Sequence, residues 1–264
     1  MAKEKSNTSI NWRLWLRLGF WTFVLASTVL AARTLSQFAH TDPHFTLDQD
    51  AGVAANATDL TITGLKFASR GRVLRVFSND FGANIFAIPI DERRRKLLAV
   101  DWVEHASVSR IWPNRLIVRI WERQPIAFVN LTPQGARTSR LALIDAYGVI
   151  LDRPERLDFS SPILSGVHEN QSERERQDRV RHYTRLMSEL GPLAKKISEV
   201  DVSKPDNLKI DIELEGHSVE LMMGDRNFSK RLQDFIDHYP EIRKRSGSAA
   251  TFDLRLDDRI TTRE

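Results

Sequence analysis

The feature that most narrows what this chain can be is the run Leu14–Ala32, LWLRLGFWTFVLASTVLAA, with a single charge, Arg17, near its start. Its nineteen residues, at about 1.5 Å each, make a helix roughly 28 Å long, close to the ~30 Å hydrocarbon core of a bilayer. No other segment matches it in length and apolarity. Lys3, Lys5, Arg13 and Arg17 stand at or before its start against one acid, Glu4. After it, Arg33 gives way to a neutral-to-acidic stretch with His40, Asp42, Asp48 and Asp50. That asymmetry predicts a cytoplasmic tail over residues 1–13, a transmembrane helix over 14–32 and everything beyond on the far side of the membrane. Trp12, Trp15 and Trp21 lie toward the cytoplasmic end, as an interfacial aromatic belt does.

A cleaved signal peptide is the competing reading, since Ala31 and Ala32 offer small residues for a cut. The Trp-rich flank extends the apolar run and favours an uncleaved anchor. A buried helix of a soluble protein is disfavoured because no face of the run is polar.

About 230 of the 264 residues follow the span, enough for one large or two small domains. There is no cysteine, so a periplasm-like compartment is permitted but no disulfide framework exists. The 39 basic and 35 acidic residues leave a formal charge of +4, too small an excess to argue for nucleic acid as a partner. The dense basic runs, Arg93–Lys96 and Arg243–Arg245, read as solvated helix faces; contact with anionic lipid or an acidic partner is the alternative.

Residues 33–58 are polar and aperiodic and read as a tether. Leu60–Gly64 alternates like a short strand. Ser69 is placed to cap a helix over Arg70–Ser78 with Val73, Leu74 and Phe77 on one face. Asn79–Gly82 breaks it. Pro89 and Asp91 open a second helix, which turns Ile90, Leu97 and Leu98 inward and the Arg93–Lys96 run outward. Two strands follow, Val103–Ile111 and Arg115–Glu122, joined at Trp112-Pro113-Asn114. The order β-α-α-β-β makes a small α+β layer with its helices on one face of the sheet. If the Trp112 ring is buried at this hairpin, Trp112→Ala costs about 3 kcal/mol; the alternative reading of Trp112 is a docking surface for another protein.

This order, with Leu60–Gly64, Gly82-Ala83-Asn84-Ile85-Phe86, Trp102–Val108, Arg110–Leu116 and Glu122–Ala127 in place, resembles a POTRA domain of the kind in the FtsQ/DivIB family of bacterial division proteins. The resemblance continues into a second, β-rich domain with flanking helices. Leu143–Leu151 matches the family's opening hairpin around an Asp-x-x-Gly turn, and Pro162–Gly166 its next landmark. A helix between Glu173 and Gly191 carries Val180, Tyr183, Leu186, Met187 and Leu190, and Gly191-Pro192 ends it. Leu208–Leu214 alternates cleanly and pairs with Val219–Met223 across Glu215-Gly216-His217. A last helix carries Phe228, Leu232, Phe235, Ile236 and Tyr239 and is expected to stop at Pro240. Thr251–Arg259 is read as the terminal strand, similar to the family's closing strand. The POTRA domain is thereby expected over 59–127 and the β domain over 128–264, with a low-similarity segment at Asn130–Arg140.

No catalytic pattern accompanies this architecture: there is no Gly-x-Ser-x-Gly, no His-Glu-x-x-His and no phosphate-binding loop. His40 and His44 are four apart but lie in the expected tether. Asp145 reads as a turn-capping residue and Asp257-Asp258 as a solvated strand end. No metal or other cofactor is expected, and no small-molecule substrate. An anchored periplasmic enzyme therefore lacks its constellation. A POTRA-bearing protein of outer-membrane assembly or secretion would need many alternating ~10-residue strands after the domain, where two strong helices stand instead. The resemblance implies a non-enzymatic scaffold of the inner membrane at the division septum. It would bind the small bitopic proteins FtsB and FtsL, with other divisome members as further candidate partners, and through them influence septal peptidoglycan synthesis. The partner site is expected on the terminal strand, read as an open sheet edge: Thr251, Phe252, Asp253, Leu254, Arg255, Leu256, Asp257 and Arg259, bordered by Tyr239 on the last helix.

Overall fold

The computed structural model describes residues 12–49, 59–131, 139–154, 158–247, 249–256 and 259–263. The chain divides into two compact units, Met1–Glu122 and Arg123–Glu264.

The first unit begins with helix α1, Trp12–Thr41. Its stretch Arg17–Phe38 is long and apolar enough to cross a membrane. The helix continues well past Ala32, so the segment read as a tether starts helical. It also ends docked: Ile85 N–H donates to the Phe45 carbonyl, Leu47 N–H to that of Ala83 and Gly82 N–H to that of Leu47, at 2.8–2.9 Å. Leu47 is fully buried. Residues 50–58, the rest of the expected tether, lie outside the described residues.

Strand β1 (Leu60–Thr63) runs parallel to β3 (Arg115–Glu122), which pairs antiparallel with β2 (Val103–Ile111), in the order β1-β3-β2. Alternation works as expected on β3: Leu116, Val118 and Ile120 are buried, while Arg119 and Trp121 are exposed. The expected helices form as α2 (Arg70–Val76), capped by the Ser69 hydroxyl accepting from Arg72 N–H, and α3 (Ile90–Leu97).

Two orientations on α3 differ from the expectation. Leu98 is 43% exposed, and Arg93 is buried at 8%. Arg93 sits four residues before Leu97 and so shares its inward face. Its guanidinium forms a two-pronged pair with Asp80, Nε–Oδ2 2.6 Å and Nη2–Oδ1 2.8 Å. That carboxylate holds the Arg93 cation, raising its pKa further. Trp112 also departs from a core role: its ring is 68% exposed.

The second unit is a mixed sheet with strand order β12-β11-β10-β9-β8-β7-β4-β5-β6 among the described residues. Its strands are β4 (Pro125–Leu131), β5 (Arg140–Asp145), β6 (Ile150–Leu151), β7 (Ile163–Ser165), β8 (Ile197–Asp201), β9 (Leu208–Leu214), β10 (His217–Gly224), β11 (Thr251–Asp253) and β12 (Thr261–Arg263). Helix α4 (Glu173–Leu190) starts at a reciprocal cap between Ser172 and Glu175. It buries Val180, Tyr183, Leu186 and Leu190 in one core with Phe228, Leu232, Phe235 and Tyr239 of α5 (Phe228–Ser246). Asp145 does cap its turn, accepting from Tyr147 and Val149 N–H at 2.9 and 2.8 Å and from Arg123 at 2.7 Å. The β9–β10 turn holds Glu215 and Gly216 both at positive φ, the conformation that two-residue hairpins favour.

Helix α5 does not stop at Pro240. It runs through it to Ser246 and ends at Gly247, whose N–H reaches the Arg243 carbonyl. A proline costs a helix one hydrogen bond and some crowding. The apolar stripe continues on both sides of it, with Tyr239 buried before and Ile242 packed on the core after.

Candidate functional site

The terminal segment is built differently from the single open strand expected. Strand β11 covers only Thr251–Asp253 and lies parallel to β10, Leu221 opposite Phe252. The chain leaves the sheet at Leu254 and returns as β12, antiparallel to β11 with Phe252 opposite Thr262. The outer side of β11 is therefore covered, and β12 is the edge strand of the described sheet.

This placement sorts the expected site residues. Phe252, Leu254 and Tyr239 face the core; the Phe252 ring meets that of Phe235 at 5.1 Å, and Phe235 meets Tyr239 at 5.4 Å. Thr251 and Asp253 are half-buried beside β10. Arg255 folds back on Asp253, donating its backbone N–H at 3.0 Å and its guanidinium at 2.8 and 2.5 Å. The Asp253 carboxylate thereby raises the Arg255 pKa. Leu256 is 45% exposed and Arg259 is exposed. Asp257 lies outside the described residues, as does Asp258.

Leu256 and Arg259 are brought together with α5 around an open groove of about 550 Å³. Its apolar lining is Ile242, Leu254, Leu256 and Ile260. Lys230, Arg231, Arg245 and Arg259 contribute cations against the carboxylates of Asp234 and Glu241, with His238 between. Of the basic run, Arg245 lines this groove, whereas Arg243 turns to the Tyr239 hydroxyl and the His217 ring.

Arg231 was missed by sequence reasoning and holds the arrangement together. Almost fully buried, it donates to the Met223 carbonyl at 2.7 Å and the Arg255 carbonyl at 2.8 Å, tying α5 to β10 and to the segment that follows β11. Nothing in its local pattern distinguishes it from a surface arginine. Strand β12 was also missed, although Ile260-Thr261-Thr262 has the β-branched composition of a strand. Among the described residues no group of His, Cys, Asp or Glu is placed to hold a metal ion. The paired imidazole and carboxylate of the expected tether, His44 and Asp42, cap a single turn at Pro43–Phe45.

Comparison with known proteins matches residues 56–123 to the POTRA domain, FtsQ-type, and residues 136–255 to cell division protein FtsQ/DivIB, C-terminal. The chain belongs to the FtsQ/DivIB family. Curated FtsQ relatives agree. A cell division protein FtsQ of Koribacter versatilis is 36% identical over 78% of this chain and 59% of its own length. One from Bordetella pertussis is 40% identical over 33% of this chain and 30% of its own length. One from Shewanella oneidensis is 26% identical over 95% of this chain and 86% of its own length. The chain thus spans well under two thirds of the first two relatives and most of the third. The FtsQ-type POTRA match falls on the β1-α2-α3-β2-β3 unit. The FtsQ/DivIB C-terminal match ends at Arg255, before β12.

Proposed function

We propose that this chain is a non-enzymatic scaffold of the division apparatus, anchored in the inner membrane by α1 with its N-terminus cytoplasmic and both folded units outside. Its role is to gather small bitopic division proteins of the FtsB and FtsL type at the septum and so help control septal peptidoglycan synthesis. The observation that carries the reading is the edge formed by β12 beside the α5 groove. An edge strand presents unpaired main-chain groups that accept an added strand, and a neighbouring pocket supplies side-chain selection. Among the described residues lining the groove, cations outnumber carboxylates around an apolar floor. That chemistry suits a segment that pairs as a strand and carries acidic and apolar side chains.

The test is co-purification of membrane partners with the full chain, alongside septal localisation of a fluorescent fusion. Thr262→Pro on β12 and Leu256→Glu in the groove each reduce partner capture at least tenfold while the POTRA unit stays folded. Undiminished capture by both variants places the partner site elsewhere.

A further inference from the structure

The aromatic cluster where α1 meets the POTRA unit has no part in the partner site proposed above. Phe38, in the last turn of the apolar stretch, meets Phe45 at 6.4 Å between ring centroids. Phe45 in turn meets Phe86 at 5.4 Å and Trp112 at 5.8 Å, and Phe86 meets Trp112 at 5.5 Å. His40, one half-turn beyond Phe38, stacks edge-on to Phe86, and its carbonyl accepts from Asn84. Such a cluster would ordinarily close over itself. Here Trp112 is 68% exposed, Phe38 59% and Ile111 42%.

The backbone fixes where this patch lies. Helix α1 continues without a break to Thr41, and the main-chain bonds between residues 45–47 and 82–85 start four residues later. No loose spacer intervenes. Trp112 stands two ring contacts from Phe38, the last residue of the apolar stretch, where a ~30 Å core gives way to a headgroup layer of roughly 5–7 Å. Indole and phenyl rings favour that layer, where an apolar body and a polar N–H are both accommodated.

We propose that the Phe38–Phe45–Phe86–Trp112 patch seats the POTRA unit on the lipid headgroups at the mouth of its own anchor. The partner is the bilayer surface, recognised by aromatic insertion and not by charge. Of the neighbouring cations, Arg110 is engaged with the Ile85 and Ile88 carbonyls, and the exposed Arg115 is the one that a spin label replaces, so seating that persists there owes nothing to either charge. This rests on the reading that α1 spans the membrane.

The chain has no cysteine, so single spin labels report depth without background. The full chain is placed in nanodiscs of phosphatidylethanolamine and phosphatidylglycerol, with no other protein present. Labels go at Ser27 in the span, at Arg115 next to the Trp112 turn, and at Ala99 beyond α3. Collision rates with oxygen and with a water-soluble nickel chelate give depth. The Arg115 label shows an oxygen-to-nickel ratio several-fold above that of Ala99 and below that of Ser27. Raising salt from 0.1 to 1 M leaves it unchanged, and Trp112→Glu brings it down to the Ala99 value. An Arg115 label as aqueous as Ala99, with Ser27 deep, overturns the seating alone. An aqueous Ser27 label overturns both the seating and the membrane span. The depths in the unaltered chain decide the matter even where Trp112→Glu fails to fold.

Discussion

Gly64 sits at φ +86°, and a Cβ there would stand 2.0 Å from the Ile120 carbonyl oxygen on β3. Both the backbone conformation and the space demand glycine. Gly64→Ala is expected to destabilise the POTRA unit by about 3 kcal/mol, read as a lowered denaturation midpoint of the full chain. Nearby, the Glu122 carboxylate accepts the backbone N–H groups of Lys66, Phe67 and Ala68 at 2.7–2.8 Å. It closes the loop after β1 onto the end of β3. Glu122→Ala leaves three donors without that acceptor and is expected to cost about 2–3 kcal/mol, with Glu122→Gln recovering part; equal losses in the two variants would show that charge is irrelevant. Both residues stood inside motifs visible in the sequence, but their reason was not. Each acts on a residue more than fifty positions away, and local periodicity carries no record of such a contact. Arg93 was hidden at shorter range: its charge argued for solvent until Asp80, thirteen positions earlier, supplied a buried partner.

Strands β8, β9 and β10 bring Glu199, Asp211 and Glu220 directly opposite one another across the sheet. Like charges in that register repel. The Asp211 carboxyl is pushed from 3.8 up to about 6, first by burial and then by Glu199 and Glu220, with Lys209 opposing and Asp201 adding. Because the folded state holds this proton more tightly than the unfolded chain, the carboxylate weakens the fold above pH 6, and stability returns as pH falls from about 6 to 4. Asp211→Asn is therefore expected to stabilise the second unit at pH 7.5 by on the order of 1 kcal/mol after solvent screening. The gain should vanish below pH 4 in thermal melts; a gain equal at both pH values would rule out ionisation as its source. Strand alternation made β9 legible as half-buried from sequence alone, because a period of two survives in any neighbour's company. The stop expected at Pro240 failed because packing on either side outweighed one missing hydrogen bond. The long terminal strand failed because the alternation of Phe252, Leu254 and Leu256 persists past Asp253, where the chain leaves the sheet.

At the scale of the whole chain, two units and an apolar helix were legible because each has its own periodicity, and the order of landmarks matched the family. What stayed hidden was the docking of residues 45–47, since a segment that pairs with a loop has no pattern of its own. The anchor makes a simple prediction: the protein isolated from membranes retains Met1, and a C-terminal reporter is active only outside the cytoplasm. An isolated form beginning near Arg33 would contradict it. The strand pair at the sheet edge has one more consequence. Residues 251–263 leave the ribosome after β10 and α5, the elements they lean on, and domains assemble in that order during synthesis. A chain stalled or clipped before Thr251 can complete its POTRA unit and most of its sheet, yet it offers no β12. On the proposed role of β12, such a chain lacks the edge that would take the partner.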